Sequence, residues 1–329
     1  MINGTKIKAE MKKLGQPNYR LTQIFQAIYQ QGAASVENIR LLPAALRNQL
    51  KGFPIVNLQP VKTEKLPGAT KLALKTADGF LIEAVAIRMR DYYTVCLSTQ
   101  IGCPLQCCFC KSGSVPFKRN LTAEEIVDQF QLLFHEIKQK PRNVVLMGMG
   151  EPLLNFESSL KALDFLHDAQ RWNIGQRQMT ISTAGVKGMI SKLVRAELHP
   201  RLAVSLHAPN QKIRAQIMPA AKAFNLNDLL AEIREYQRAS KHQTTYEYIM
   251  LNGINDQPYH AEELAKLLNP ADSMINLIPY NNVFAKYKPS SPEQIKKFAG
   301  ILRRTFRRVT VRQSAGEQIA AACGQLAYR

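Results

Sequence analysis

From residue 93 onward, short apolar segments alternate with amphipathic ones, and this alternation constrains the fold more than any other feature of the chain. The predicted strands are 93–97, 143–147, 179–182, 202–206, 245–250 and 274–279, with helical periodicity between them. The first helical stretch, 122–140, opens with Thr122 and Glu125 at capping-box spacing. Six β/α units predict a parallel sheet with right-handed crossovers. Because the usual closed barrel needs eight units, an α/β fold with a partial six-unit barrel is expected.

The flanking segments predict three smaller parts. Apolar residues between Tyr19 and Ile28 recur at helical spacing, and a second short helix is expected at 42–46. Two β-compatible runs, 71–75 and 81–88, predict a hairpin, and a seventh strand is expected at 309–312. The predicted division is a helical accessory domain (1–60), a connecting β-hairpin region (61–88), the β/α core (89–318) and a C-terminal tail (319–329).

Composition narrows the class of protein. The formal charge of +19 favours a polyanionic partner, although a basic surface without a binding role is the alternative. The Lys-rich first 15 residues lack the apolar core of a secretory signal, and no apolar run approaches the ~18–20 residues of a membrane span. A soluble cytoplasmic protein is therefore expected. Four of its six cysteines crowd between Cys103 and Cys110, which in a reducing compartment indicates metal or redox chemistry.

The crowded cysteines follow the first predicted barrel strand, in the sequence Cys103-Pro-Leu-Gln-Cys107-Cys108-Phe109-Cys110. A [4Fe–4S] cube usually takes four thiolates, so the C-x3-C-x2-C spacing of Cys103, Cys107 and Cys110 would leave one iron open. An open iron can chelate the amino and carboxylate groups of S-adenosylmethionine (SAM). The alternatives are a zinc site, which would want a fourth Cys or His nearby, and a chance grouping. Cys108 is not needed as a ligand, and a small buried filler is its expected role.

Further motifs carry a resemblance to a known family. They are Cys96-Leu-Ser-Thr-Gln-Ile-Gly-Cys103, Gly148-Met-Gly-Glu-Pro152, Ile181-Ser-Thr-Ala-Gly185, Ser205-Leu-His-Ala-Pro209, Asn276-Leu-Ile-Pro-Tyr-Asn281 and Ala321-Ala-Cys-Gly-Gln-Leu326. Together with the cysteine spacing they resemble the RlmN/Cfr family of radical SAM RNA adenosine methyltransferases, over almost the whole chain. The resemblance implies a radical SAM barrel, one [4Fe–4S] cluster per chain and two SAM molecules per turnover.

The resemblance also implies which residues bind SAM. They are Gly150, Glu151, Ser182, Ser205, Leu206, His207 and Asn281. A Gly-rich bend lets the backbone approach a ligand, and a carboxylate can accept from the SAM ammonium group. The alternatives are that Gly148 to Gly150 form a plain strand-to-helix turn, and that His207 is a structural histidine.

Three catalytic residues are implied in the same way: Glu83, Cys96 and Cys323. In the family's scheme one SAM methylates the residue matching Cys323, and a radical made from a second SAM activates that methyl group for addition to the base. The residue matching Cys96 then releases the product by forming a disulfide, and the residue matching Glu83 accepts a proton. Glu83 shares a predicted strand face with apolar residues. Burying a carboxylate there costs free energy, which suggests a functional role for it. The alternatives are buried, inert cysteines and an exposed edge-strand glutamate.

The expected partners are 23S ribosomal RNA, transfer RNA and a flavodoxin- or ferredoxin-type electron donor, with the chain a monomer. Lys286 and Lys288 are interleaved with Phe284 and Tyr287, as in surfaces that track a backbone and stack bases. The other basic candidates are Lys111, Lys118, Arg119, Lys296, Lys297, Arg303, Arg304, Arg307, Arg308 and Arg312, of which the terminal run could instead be a solvated helix face. The N-terminal helices are expected to help grip RNA.

The favoured reaction is C2 methylation of an adenosine in the peptidyl transferase centre of 23S rRNA, and of the tRNA adenosine 3′ to the anticodon. The open alternatives are C8 methylation, the antibiotic-resistance reaction, and an RNA-binding iron–sulfur protein without methyltransferase activity. Two segments depart from the family's pattern: Gly113-Ser-Val-Pro116-Phe117, and the stretch from Gly316 to Cys323. Both are expected to face the substrate, so they bear on the RNA target more than on the chemistry.

Overall fold

The computed structural model describes residues 4–312 and 319–327. Its strands, in chain order, are β1 (Gln59–Leu66), β2 (Ala69–Lys75), β3 (Leu81–Arg88), β4 (Tyr93–Cys96), β5 (Gln100–Ile101), β6 (Arg119–Asn120), β7 (Asn143–Leu146), β8 (Met179–Thr183), β9 (Arg201–Ser205), β10 (Thr244–Met250), β11 (Ser273–Pro279) and β12 (Val309–Val311). Its α-helices are α1 (Gly4–Lys13), α2 (Asn18–Tyr29), α3 (Ala44–Gln49), α4 (Ala123–Ile137), α5 (Phe156–His167), α6 (Met189–Val194), α7 (Gln211–Ile217), α8 (Leu226–Ser240), α9 (Pro258–Leu267) and α10 (Pro292–Leu302).

Ten of these strands form one sheet, in the order β1-β2-β3-β4-β7-β8-β9-β10-β11-β12. Within this sheet the strands β4, β7, β8, β9, β10, β11 and β12 run parallel to one another, and each connection between them contains a helix. Strands β5 and β6 form a separate antiparallel pair. All seven predicted β/α-core strands are present, with ends within one residue of the prediction. The strand order has two edges, β1 and β12, so the expected partial barrel is confirmed.

The predicted hairpin is also present, but it is more than a connector. Strands β2 and β3 pair antiparallel, and β3 pairs antiparallel with β4, so that the hairpin extends the barrel sheet. Strand β1, which was not predicted, pairs with β2 and forms the edge. Its side chains are mostly exposed, and it therefore has no apolar alternation. The domain boundaries themselves stay a prediction.

The N-terminal helices share one hydrophobic core with the barrel. Tyr29 at the end of α2 packs edge-on against Phe165 of α5, with ring centroids 4.9 Å apart, and also contacts Trp172. Helix α1 was not predicted; it is short and Lys-rich, and it buries Ile7 and Met11. Among the described helices, none combines the length and apolar character that crossing a lipid bilayer requires.

Helix α4 shows how the chain fixes the start of the barrel. Thr122 accepts from the backbone N–H of Glu125, and the Glu125 carboxylate accepts from the backbone N–H of Thr122, which confirms the predicted capping box. The helix ends three residues earlier than predicted, because Lys138 adopts a left-handed conformation with φ 54°. Parallel strands leave their carboxyl ends at one edge of the sheet, and the loops carrying the predicted site residues meet there.

Candidate active site

The three predicted ligand cysteines line one cavity at the carboxyl ends of the barrel strands. Cys103, Cys107 and Cys110 share its wall with Gly150, Glu151, Ser182, Ser205, His207 and Cys323, all of them predicted site residues. Gly113 packs closely against this loop, because a Cβ at that position would lie only 2.9 Å from the Cys107 backbone. Loops from separate parts of the sequence therefore converge as the strand topology predicts.

Burial opposes the ionisation of these cysteines. Burial raises the pKa of Cys103 to about 12 and that of Cys107 well above its usual value, and Cys110 adds to both shifts. Metal binding requires thiolates, so loading the site must release protons. In residues 4–312 and 319–327, no three His, Cys, Asp or Glu side chains converge as a single ion needs. A four-iron cube is larger than one ion and needs thiols spread around a cavity, which is how these three are arranged.

The turn after β7 brings backbone and a carboxylate to the cavity. Gly148 and Gly150 cannot be replaced without displacement, because a Cβ on either would lie within 2.6 Å of Ser98 N or Gln100 Cβ. The Glu151 carboxylate accepts from the backbone N–H groups of Leu153 (3.0 Å) and Ala184 (2.8 Å), and burial raises its pKa. The Thr183 side chain is also hydrogen-bonded to this carboxylate. A carboxylate has about four lone-pair positions, so Glu151 can still accept from a bound ammonium group.

His207 is a neutral imidazole in the cavity wall. Its Nδ1 accepts from the backbone N–H of Ile249 at 3.1 Å, so the ring proton is on Nε2. Burial and then the charge of Arg214 lower its pKa to about 3. The ring stands edge-on to Phe109 of the cysteine loop, with centroids 4.9 Å apart. His207 therefore offers an N–H donor without a charge.

The remaining predicted SAM-binding residues divide into two groups. Ser182 and Ser205 line the cavity at the ends of β8 and β9. Leu206 and Asn281 are not part of the lining. Leu206 is fully buried and its backbone N–H donates to Glu247, whereas the Asn281 amide donates to the backbone carbonyl of Cys323 at 3.0 Å.

The C-terminal tail is docked on the cysteine loop. The backbone N–H of Lys111 donates to the Gly324 carbonyl at 2.7 Å, and the Ser112 hydroxyl donates to the Leu326 carbonyl at 2.5 Å. These contacts place Cys323 in the cavity wall, where burial raises its pKa and Arg312 opposes the rise. Residues 313–318 lie outside the described residues, and they include the first part of the altered stretch that runs from Gly316 to Cys323.

Cys96 lies just behind this wall, at the end of β4. Burial raises its pKa to about 12, the Cys323 charge contributes, and the backbone N–H of Met147 opposes the shift. Two side chains that were not predicted as site residues lie beside the cysteine pair. Glu247 and Arg312 both line the cavity, and the pKa of Arg312 is raised by Cys323 first and also by Glu247 and Cys96. Arg312 was listed among the basic candidates for RNA contact, and the structure places it in the cavity wall beside the two cysteines.

Glu83 is buried on β3, only 3% exposed, so the alternative of an exposed edge glutamate is wrong. Its carboxylate pairs with Lys71 at 3.2 Å, and Lys71 also pairs with Glu64 at 2.9 Å. Burial raises the pKa of Glu83, while Lys71 and the backbone N–H of Ala327 in the tail oppose the rise. Glu83 does not line the cavity, but it lies where the tail passes β3.

Two other expectations are corrected. Cys108 is half-buried rather than a buried filler, and its backbone N–H donates to Ile217 at 3.0 Å. Arg119 was grouped with the RNA-binding cations, but its guanidinium forms double hydrogen bonds with Asp78 (2.7 Å) and Glu125 (2.8 Å). The rest of the terminal basic run before Arg312 is exposed, as either of its interpretations requires.

One buried cation was missed altogether by sequence reasoning. Arg214 on α7 is 0% exposed, and its Nη2 donates to the carbonyl of Ala184. In sequence it is one more basic residue on a short polar helix, Gln-Lys-Ile-Arg-Ala-Gln-Ile, and nothing in that pattern distinguishes it from its exposed neighbour Lys212.

Comparison with known proteins agrees with this arrangement. Residues 97–267 match the radical SAM superfamily. The chain is 42% identical to a probable dual-specificity RNA methyltransferase RlmN of Symbiobacterium thermophilum, with 97% of this chain and 88% of the relative covered. It is 40% identical to the same-named protein of Thermosynechococcus vestitus, with 98% and 96% covered.

A solved structure extends the likeness to three dimensions. The fold matches a radical SAM methyltransferase from Sphaerobacter thermophilus with a TM-score of 0.92 at 37% sequence identity. The match covers 98% of this chain and 97% of that one. The N-terminal helices, the hairpin and the tail are therefore shared, in addition to the barrel.

Proposed function

Because the chain belongs to the RlmN family of radical SAM enzymes, we propose that it methylates carbon 2 of an adenosine in 23S rRNA. The proposed rRNA target lies in the peptidyl transferase centre, and the tRNA adenosine 3′ to the anticodon is a second target. The relatives are named as probable dual-specificity RNA methyltransferases, which supports two classes of RNA substrate. The family implies a [4Fe–4S] cluster and SAM.

One observation carries the proposal. The tail holds Cys323 in the wall of the same cavity that Cys103, Cys107 and Cys110 line, and Cys96 is close enough for the Cys323 charge to raise its pKa. An RNA-binding iron–sulfur protein without methyltransferase activity would have no use for two further sulfurs beside its cluster. A methyltransferase that carries its methyl group on sulfur needs both.

The residues present fit the two cofactors. Cys103, Cys107 and Cys110 would hold the cluster, and Glu151 would accept from the ammonium group of SAM. Ser182, Ser205 and the neutral Nε2–H of His207 can donate to the ribose and adenine of SAM without adding charge. When bound, the reduced cluster supplies the electron that cleaves SAM to a 5′-deoxyadenosyl radical.

The chemistry of this chain's own residues centres on Cys323. Its thiolate first takes a methyl group from SAM, and the thioether later gives up a hydrogen atom to the radical. The carbon radical on Cys323 would add to the electron-poor C2 of adenine, and the radical adduct would return one electron to the oxidised cluster and give its C2 proton to Glu83. The Cys96 thiolate then attacks the Cys323 sulfur, so that the S–S bond forms and the S–C bond to the RNA breaks, and the released carbon keeps the bonding electron pair and takes a proton to become the methyl group. Thiol–disulfide exchange with cellular thiols resets the pair.

Arg312 supports this cycle electrostatically. It faces both cysteines and Glu247 and opposes the effect of burial on the pKa of each thiol. The nucleophile in methyl transfer and in disulfide formation is a thiolate, which a buried site disfavours. A fixed guanidinium in the cavity wall makes each thiolate less costly to form.

The surface around the cavity suits RNA. The Lys111 ammonium lies 5.4 Å from the centre of the Phe284 ring, and that of Lys286 lies 5.6 Å from the Tyr287 ring. Cations over aromatic rings can track phosphates and stack a base that has left its helix. The N-terminal helices would extend this grip. We further propose that the enzyme is a monomer, that it acts in the cytoplasm and that it receives electrons from a flavodoxin or ferredoxin.

The test is chemical analysis of the RNA product. Protein reconstituted with iron and sulfide without oxygen is given SAM, a reductant and unmodified 23S rRNA, and the nuclease digest is compared with 2-methyl- and 8-methyladenosine standards. We expect 2-methyladenosine from the wild type and neither product from Cys323→Ala. 8-Methyladenosine would assign the alternative regiochemistry. Protein that cleaves SAM but forms neither product would remove both targets, and the non-methylating alternative predicts intact function in Cys323→Ala.

A further inference from the structure

A buried guanidinium lies behind the wall of the cysteine cavity. Two of the Arg214 nitrogens, Nε and Nη1, are buried and have no hydrogen-bond partner in the described part of the chain. Only Nη2 is engaged, with the carbonyl of Ala184. A buried cation with free N–H donors is costly unless an acceptor meets it. The arrangement indicates that Arg214 serves an acceptor that residues 4–312 and 319–327 do not supply.

The groups around Arg214 indicate the nature of that acceptor. Arg214 interacts electrostatically with Cys107 first and Glu151 second, and it lowers the pKa of His207. Glu151 directs its two oxygens to backbone N–H groups, and His207 is neutral. Of the three, Cys107 is a predicted cluster ligand, so a cluster held there would bring negatively charged sulfur acceptors towards Arg214.

Backbone contacts fix α7 against the cysteine loop. The backbone N–H of Cys108 donates to the carbonyl of Ile217 at 3.0 Å, and the Cys108 thiol approaches the carbonyl of Gln216 at 3.9 Å. On the other side, the backbone of Ala184 connects Arg214 to Glu151: its carbonyl accepts from Arg214, and its N–H donates to the Glu151 carboxylate. The guanidinium is therefore held in place relative to Cys107 before any cofactor binds.

We propose that Arg214 is a positioning residue for electron transfer, which offers its charge and its two unpaired N–H groups to the iron–sulfur cluster at Cys107. This inference rests on the proposed function. Reduction adds one electron, from a flavodoxin- or ferredoxin-class donor, and makes the cluster more negative by one charge. A fixed cation and hydrogen bonds to the sulfurs favour the reduced form. Arg214 thus makes the cluster easier to reduce, and no proton needs to move.

The first test is a redox titration of the cluster, followed by electron paramagnetic resonance without SAM. For Arg214→Met we expect the ratio of reduced to oxidised cluster at a fixed potential to fall about tenfold, equivalent to a midpoint about 59 mV more negative. Arg214→Lys keeps the positive charge, so its ratio of reduced to oxidised cluster should fall less than that of Arg214→Met. The matched control is Arg47→Met: Arg47 on α3 also has a buried, unpaired Nε, but it lies in the N-terminal helices and should not change the midpoint.

A second measurement uses the wild type. Protein labelled with ¹⁵N-arginine should show a nitrogen coupling to the reduced cluster in pulsed spectra without SAM, and Arg214→Lys should weaken it. This measurement decides the question even if Arg214→Met takes up no cluster. An unchanged midpoint in a cluster-loaded Arg214→Met variant, or no coupling in the wild type, would overturn the inference. Weaker SAM binding with an unchanged midpoint would also overturn it and assign Arg214 to the SAM carboxylate. A wild type that binds no cluster would instead refute the proposed function.

Discussion

The side-chain amide of Asn281 donates to the backbone carbonyl of Cys323 at 3.0 Å, and this contact joins the loop after β11 to the C-terminal tail. Gln325 returns the contact by donating to the Asn281 carbonyl at 3.3 Å. Together with the contacts of Lys111 and Ser112, these hydrogen bonds decide where the Cys323 sulfur lies. Asn281 was predicted to bind SAM. In the structure its side chain holds the tail that carries Cys323.

Asn281→Ala should therefore loosen the tail without unfolding the barrel. One buried hydrogen bond contributes about 1 kcal/mol, so we expect the amides of residues 321–326 to exchange with solvent about fivefold faster. Hydrogen–deuterium exchange with mass spectrometry measures this directly. Asn252→Ala, at an exposed asparagine, is the control. Equal exchange in the two variants would mean that the tail is held by other contacts.

Gly148 is predicted to be intolerant of any side chain. A Cβ there would lie 2.6 Å from Ser98 N and 2.7 Å from the Leu97 carbonyl group, all rigid backbone. Gly148→Ala should lower the free energy of unfolding by about 1–3 kcal/mol. The matched control is Gly300→Ala on α10, where an added Cβ would meet open space. This substitution should raise the free energy of unfolding by about 0.5–1 kcal/mol, because alanine is favoured over glycine inside a helix. Urea denaturation of both variants checks the pair, and a Gly148→Ala protein as stable as wild type would contradict the close approach.

His207 should make the cluster-free protein less stable in acid. Its folded pKa is about 3 against 6.5 for an ordinary histidine, so the unfolded chain binds more protons between these values. Stability is full above pH 6.5 and falls below it, by up to about 1.4 kcal/mol per pH unit from this residue. His207→Asn, which tolerates the φ of 58°, should flatten the dependence between pH 6.5 and 5. His242→Asn, at a more solvent-accessible histidine, should flatten it less; equal slopes would show that His207 is not the titrating group.

The Lys71–Glu83 pair should behave as a unit. Lys71→Met leaves a buried carboxylate without its partner, which costs about 3–5 kcal/mol. Glu83→Gln in the same background removes the charge and should recover much of that loss. A double-mutant cycle by urea denaturation measures the coupling, and strictly additive effects would contradict it.

The barrel could be predicted from sequence because each buried strand is a continuous apolar segment, and the segments between successive strands have helical periodicity. Strand β1 could not, because it is an edge strand with Pro60 and mostly exposed side chains, so no burial pattern marks it. The capping box at Thr122 was readable because both partners are local in sequence.

The residues of the candidate site also divide into those that a local sequence pattern predicts and those that only the three-dimensional packing reveals. Cys103, Cys107 and Cys110 lie close together in sequence, and their spacing predicted a shared cluster site. Glu83 was found because a carboxylate interrupts an apolar strand face. Arg214 and Arg312 were missed or misassigned, because a lysine or arginine on a helix or strand end is usually solvated. Only the packing of distant loops reveals that Arg214 is removed from solvent and that Arg312 faces Cys323 and Glu247.

The most direct measurement of the central claim is whether Cys96→Ala becomes trapped on its RNA. With Cys323 in the cavity wall and Cys96 beside it, the carbon delivered to the base should stay attached to Cys323 when the resolving thiol is missing. After reaction with SAM, reductant and RNA, a slow band on a denaturing gel should appear for Cys96→Ala and be absent from the Cys96→Ala/Cys323→Ala double variant. Cys96→Ala protein that carries its cluster and cleaves SAM, yet forms no adduct, would contradict the account.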